Sequence, residues 1–186
     1  MLTTLSLIFG YVATAAAIVG FQLKKQSHII ISQMISNLFV ALSYFLLGPT
    51  KMAGGFACFV GALQTLTNYF YLRKDQNPKR YITVIFFFGY VASFIVTAYL
   101  AQKVTLPNDL LPLMGSMIFL FAVSIQNSTV TRILFFLNML VWITFDCIAT
   151  PVATANLVTH ICILISVIVG FVRYEILKKG KVKNEQ

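Results

Sequence analysis

The sequence predicts an all-α membrane protein: seven transmembrane helices in a 3+1+3 arrangement, two parallel three-helix repeats joined by one linker helix. Three observations carry that expectation. Hydrophobic residues make up 59% of the 186 and charged residues 10%, with a mean hydropathy of +0.86, whereas a soluble domain carries roughly 25% charged residues. Uncharged runs recur along the chain, each near the roughly 20 residues that cover a hydrocarbon core of about 30 Å at a rise of about 1.5 Å per residue. Of the 14 Lys and Arg, only Lys51 and Lys103 fall on one side of seven alternating spans, and all the others fall on the opposite side. The positive-inside rule then puts the N-terminus outside and the C-terminus in the cytoplasm. The net charge of +9 thus reflects orientation and contact with an anionic cytoplasmic leaflet, and no nucleic-acid partner is expected.

In chain order, Leu2 to Phe21 has no charge, no basic stretch ahead of it and no cleavage site at a signal peptide's length, so it is expected to be retained as the first span. Lys24 and Lys25 follow. Ile29 to Gly48 is the second span, with Gln33, Ser36 and Asn37 on its opening turns and Pro49 ending it. Met52 to Leu72 is the third, where Gly61, Gln64, Thr65 and Asn68 fall at i, i+3, i+4 and i+7 and share one face. The polar run Arg73 to Arg80 leads into the fourth span, Tyr81 to Leu100. Leu110 to Ile125 is a short fifth span of about sixteen residues, which must thin the bilayer or end within protein. Pro112 sits in its first turn, where a missing amide is tolerated. Ile133 to Ala149 is the sixth, closed by Pro151, and Val152 to Val172 the seventh. The chain so divides into a first repeat over residues 1–72, a basic loop and linker helix over 73–100, a second repeat over 101–174 and a basic tail over 175–186.

Asn37 lies twelve residues before Pro49, and Asn138 thirteen before Pro151, which is the plainest trace of the repeat. A single linker helix restores the starting side, so the two halves lie parallel, and parallel repeats hold a substrate site between them near the midplane.

Candidate site residues are the polar ones within spans. Asn138, Trp142 and Asp146 recur at i, i+4 and i+8 of the sixth span and share a stripe. Asp146 is the only acid in any span, and a central carboxylate costs roughly 2.5 to 3.5 kcal/mol on insertion scales, so it must face protein or water. It reads as a proton or substrate-amine site, or else as a carboxylate wetted near the outer boundary. Trp142, the only tryptophan, is either a packing residue or a stacking wall for a planar ligand. Asn37 and Asn138 either bond a polar solute or bond helices together. Asn156, Thr159 and His160 share a face of the seventh span, where His160 pairs with Asp146 as a proton relay or bonds a neighbouring helix. Gln64 and Asn68, with Asn156 and His160, would line a polar pathway. The substrate-binding set is therefore Asn37, Gln64, Asn68, Asn138, Trp142 and Asn156, with Asp146 and His160 for proton or ion coupling.

Cys58, Cys147 and Cys162 have no metal-ligand spacing and read as small hydrophobes. No Ser-His-Asp set, HExxH, CxxC or glycine-rich phosphate loop occurs, so neither an enzyme nor a cofactor or metal site is expected. Asn127-Ser128-Thr129 matches a glycosylation sequon, but on the cytoplasmic side, where it goes unused.

This organisation resembles the MtN3-like superfamily, which includes SWEET sugar transporters, PQ-loop proteins and nicotinamide riboside transporters. Within it, Leu110-Leu111-Pro112-Leu113-Met114-Gly115-Ser116, Phe45-Leu46-Leu47-Gly48 and Val172-Arg173-Tyr174 look like the YgjV-type bacterial inner-membrane proteins. The resemblance implies a multi-pass inner-membrane protein, and Asn68, Asn156 and Trp142 match in kind the Asn and Trp residues that SWEETs place on these helices. No Pro-Gln pair is present, and Gln64 stands where a basic residue is expected in YgjV relatives. The function expected is transport of a small polar solute such as a sugar or riboside, by alternating access between the halves. The alternative is a receptor or assembly partner docking through the basic tail, Lys178 to Lys183. Either is compatible with a homo-oligomer.

Overall fold

The computed structural model describes residues 2–23, 25–48, 51–74, 76, 78–101, 110–125, 127–148 and 154–173. Among these the chain forms seven helices: α1 (Leu2–Phe21), α2 (Gln26–Leu46), α3 (Met52–Arg73), α4 (Arg80–Ala101), α5 (Leu111–Ser124), α6 (Ser128–Ile148) and α7 (Thr154–Phe171). Five of them, α1, α2, α4, α6 and α7, are long and apolar enough to cross a membrane. The other two depart from that pattern for different reasons. At 22 residues, α3 is about 33 Å long, but its hydropathy is lowered by Gln64, Thr65 and Asn68, which are buried against protein. With only 14 residues, α5 is about 21 Å long, because the backbone turns extended at Ile125.

The sixth helix starts at Ser128, not at the apolar run's first residue, Ile133. The side chain of Asn127 explains the earlier start: its Oδ1 accepts the amides of Thr129 at 3.0 Å and Val130 at 3.2 Å, as an N-cap does. The asparagine of the sequon is thus a helix cap. Arg132, counted from sequence as a loop cation, consequently lies within α6 and is 2% exposed. At the other end of a helix, Gly48 (φ 96°) follows the last turn of α2 in the left-handed conformation that glycine adopts without strain. Lys24, Pro49, Lys103, Pro151 and the basic tail lie outside the described residues.

The helices pack in a closed cycle. Along it α1 meets α2, α2 meets α3, α3 meets α5, α5 meets α6, α6 meets α7, and α7 returns to α1; α4 stands outside, against α3 and α5. The α1–α7 seam is made of small residues. Thr14 and Thr159 hydroxyls meet at 2.7 Å, a Cβ on Gly10 would stand 2.8 Å from that of Ala155, and one on Gly170 would stand 2.8 Å from the Phe21 carbonyl oxygen. The α3–α5 seam is amide-bonded instead: Gln64 Nε2 donates to the Leu120 carbonyl (3.1 Å) and Asn68 Nδ2 to that of Val123 (2.9 Å). Tyr90 of α4 donates to Gln64 Oε1 at 2.9 Å, tying the outer helix to this seam. On α1, Ser6 meets the Ser43 hydroxyl at 2.9 Å, and the Ala16 carbonyl accepts from Ser32, so α2 is fastened at two levels.

The α1–α7 seam generates a prediction. Gly170→Ala drives a methyl group onto a backbone oxygen that cannot rotate away, so it is expected to lower stability by about 1 to 3 kcal/mol. Gly89→Ala, whose nearest neighbour is a Val60 methyl at 3.5 Å, is expected to be neutral or to stabilise by about 0.5 to 1 kcal/mol. Thermal unfolding of both variants in detergent makes the comparison, and equal melting points would sink it.

Candidate functional site

The stripe on α6 that carries Asn138, Trp142 and Asp146 faces inward, and all three side chains are buried. Asp146 is fully enclosed. Tyr44 from α2 donates to its Oδ1 at 2.8 Å, and His160 Nδ1 from α7 lies 2.7 Å from its Oδ2. Lys51, immediately before α3, is also enclosed, with Nζ 4.5 Å from the centroid of the Phe145 ring. Burial lowers the Lys51 pKa, and the attraction of Asp146 works against that shift. Three aromatic rings complete the cluster: Trp142 lies near-parallel to Tyr44 (6.1 Å) and to the His160 imidazole (5.6 Å), while Phe145 presents edge contacts to Tyr44 (5.8 Å) and Trp142 (5.6 Å). Four helices, α2, α3, α6 and α7, therefore converge on one carboxylate.

Beside this cluster is a cavity of about 20 Å³, on whose wall Trp142 and His160 also stand. Its polar lining comes from Gln33, Ser36 and Asn37 of α2, Tyr90 of α4, Ser116 of α5 and Asn138 of α6. A water needs about 10 to 15 Å³ measured this way and two to four polar partners, so the cavity is sized for about one water. Two of its lining residues have a buried polar atom with no protein partner: the donor Nε2 of Gln33 and the acceptor Oδ1 of Asn138. The other amide atom of Asn138 donates to the Gly115 carbonyl at 2.5 Å. Gly115 has a steric role as well, because a Cβ there would come within 2.9 Å of Trp142 Nε1.

The structure brings together four of the residues singled out from sequence, Asn37, Asn138, Trp142 and His160, and places Asp146 directly behind the last two. It places the others elsewhere. Gln64 and Asn68 are engaged in the α3–α5 seam. Asn156 packs beside Gly10 and Tyr44, with neither amide atom in a hydrogen bond of good geometry. Sequence reasoning did not select Gln33, Ser36, Tyr44, Lys51, Tyr90 or Ser116. For Gln33 and Ser36 the signal was present, since they sit at i and i+3 beside Asn37 at i+4 in an otherwise apolar run. Nothing distinguishes Tyr44 from seven other tyrosines, and Lys51 reads as a loop cation until the fold closes over it.

Comparison with known proteins identifies a family. Residues 4–178 match the model of the Imp-YgjV family of bacterial inner membrane proteins, and the chain belongs to that family. No curated protein and no solved structure gives a match.

The Asp146 cluster can be probed by its cheapest change. Tyr44→Phe keeps the ring contacts but deletes the donor to a buried carboxylate, and is expected to cost about 1 to 2 kcal/mol of stability. A melting point within error of the wild type would show that Tyr44 does not help to hold the charge.

Proposed function

Taking membership of that inner-membrane family as the premise, we propose that the protein carries a small polar solute, such as a sugar, a riboside or a similar metabolite. In this reading residues 1–72 and 101–174 are two parallel three-helix halves. The helix cycle supports it, because renaming α1, α2 and α3 as α5, α6 and α7 converts each contact within the first half into one within the second. The same exchange interconverts the α3–α5 and α7–α1 seams. The cation distribution supports an outside N-terminus and a cytoplasmic C-terminus.

The observation that carries the proposal is that two residues lining the cavity, Gln33 and Asn138, each keep one buried polar atom without a partner among the described residues. Leaving a buried donor or acceptor unsatisfied costs about 1 to 3 kcal/mol. A solute hydroxyl both donates and accepts, and is suited to satisfy Gln33 Nε2 and Asn138 Oδ1 together. Asn37 and Asn138, at comparable depth in the two halves, face this one cavity, with the Trp142 ring as a flat wall. Among the described residues no Lys, Arg, Asp or Glu lines it, which suits a neutral solute. Its volume suits a water and not a sugar, so this conformation is a closed one, and solute enters only when the halves part. Alternating access by rocking one half on the other would do this, with proton exchange at Asp146 and His160 linked to opening of the adjoining cluster.

Binding is tested by thermal stability of the purified protein against a library of sugars, ribosides, nucleobases and amino acids. A bound solute at a hundred times its dissociation constant adds about 2.7 kcal/mol. The expected result is a specific shift that Asn138→Ala removes, followed by uptake of the same solute into proteoliposomes. A shift that survives Asn138→Ala would put the solute elsewhere, and no shift with any compound would count against carriage.

A further inference from the structure

The cation facing Asp146 comes from outside the helices that hold the carboxylate. Asp146 and His160 stand on α6 and α7, whereas Lys51 enters from the N-terminal end of α3. Its ammonium rests 4.5 Å above the Phe145 ring, within the electrostatic reach of Asp146. Tyr44, Trp142 and Phe145 touch one another pairwise, and Phe145 is the ring beneath that ammonium. The start of α3 lies close against the same rings: a Cβ on Gly54 would lie 3.2 Å from both Tyr44 and Phe145, a tight contact that the absent side chain relieves. A carboxylate flanked by aromatic rings, shut off from water, is the chemistry that recognises an alkylammonium ion. Here the alkylammonium is the end of a lysine.

We propose that Tyr44, Trp142, Phe145 and Asp146 form a binding site for primary alkylammonium ions, which Lys51 occupies as a tethered ligand in the closed conformation. The charged and titratable groups facing the carboxylate are Tyr44 from α2, Lys51 and Cys58 from the chain at and within α3, and His160 from α7. With Lys51 in place, the positive charge is supplied from within the chain. Removing its ammonium leaves a buried carboxylate short of a cation in surroundings where such a charge is costly, and a free amine of the same head group restores the balance. The site belongs to the cluster and stands whether or not the neighbouring cavity carries a solute.

Trp142 is the only tryptophan in the chain and stands in the site, so emission of the full-length protein excited beyond the absorption of its 8 tyrosines reports on it alone. Lys51→Met in detergent micelles, titrated with propylammonium chloride at mildly alkaline pH, is expected to give a saturable change in Trp142 emission. Sodium chloride at matched ionic strength and neutral propanol are expected to give none. The apparent dissociation constant should fall at least about tenfold below that of the wild type, where Lys51 competes, which corresponds to about 1.4 kcal/mol. Adding Asp146→Asn to Lys51→Met should abolish the response. The proposal fails if Lys51→Met responds no more strongly than wild type, or if the response persists without the Asp146 charge. Should Lys51→Met not purify, the wild type and Asp146→Asn are compared directly at amine concentrations high enough to displace Lys51: a saturable response only in the wild type supports the site, and equal responses or none overturn it. These readouts use an amine and an altered Lys51, so their failure is separable from failure of the neutral-solute screen on the wild type.

Discussion

One buried negative charge governs the arrangement. A carboxylate cannot remain solvated inside a bundle of apolar helices, so Asp146 must be met by donors and positive charge from its surroundings. Tyr44 and His160 bond it from α2 and α7, and Lys51, seated over the Phe145 ring at the start of α3, adds positive charge to its surroundings. The aromatic packing follows from this convergence. Trp142 and Phe145 flank Asp146 on α6, and the groups that come to the charge lie on or against their rings.

The two seams that join α1–α3 to α5–α7 have different chemistry. Between α1 and α7 the backbones come close over glycine, alanine and threonine, and hydroxyls bond across the gap, Thr159 to Thr14 and the Gly10 carbonyl and Ser166 to the Ile18 carbonyl. Between α3 and α5, side-chain amides reach across to backbone carbonyls near the end of a helix of only 14 residues, and a tyrosine from α4 braces the contact. The first seam combines hydroxyl bonds with close backbone approach and so resists added volume, whereas the second rests on side-chain amides.

Much of this was legible in the sequence, and what was not has a physical cause. Uncharged runs gave the helices to within a few residues, because burial in lipid or protein demands apolarity over a whole span. The start of α6 was missed because a cap is made by a polar residue, Asn127, and so lies among residues that look like a loop. The inward stripe of Asn138, Trp142 and Asp146 could be read from helical spacing, since that depends on one helix alone. Which polar residues share a cavity depends on rotation and depth of several helices, and periodicity within each says nothing of either. Hence spacing does not show that Gln64 and Asn68 bond across the α3–α5 seam, or that Lys51 and Tyr44, which no local pattern marks, complete the cluster.

The outer helix has a different relation to its surroundings. Only 17% of the Arg80–Tyr99 stretch of α4 is buried, against 39% to 50% for the other four apolar helices, and Val84, Ile85, Phe88 and Ile95 point away from the bundle. One thin stripe, with Ile82, Tyr90 and Thr97, is held by the protein. In an inner-membrane protein the rest of that surface is answerable to acyl chains, which discriminate by bulk and polarity and hardly at all by shape. The two sides of α4 thus obey different grammars: the inner stripe is a fixed phrase, and the outer face is a passage in which almost any oily word will do.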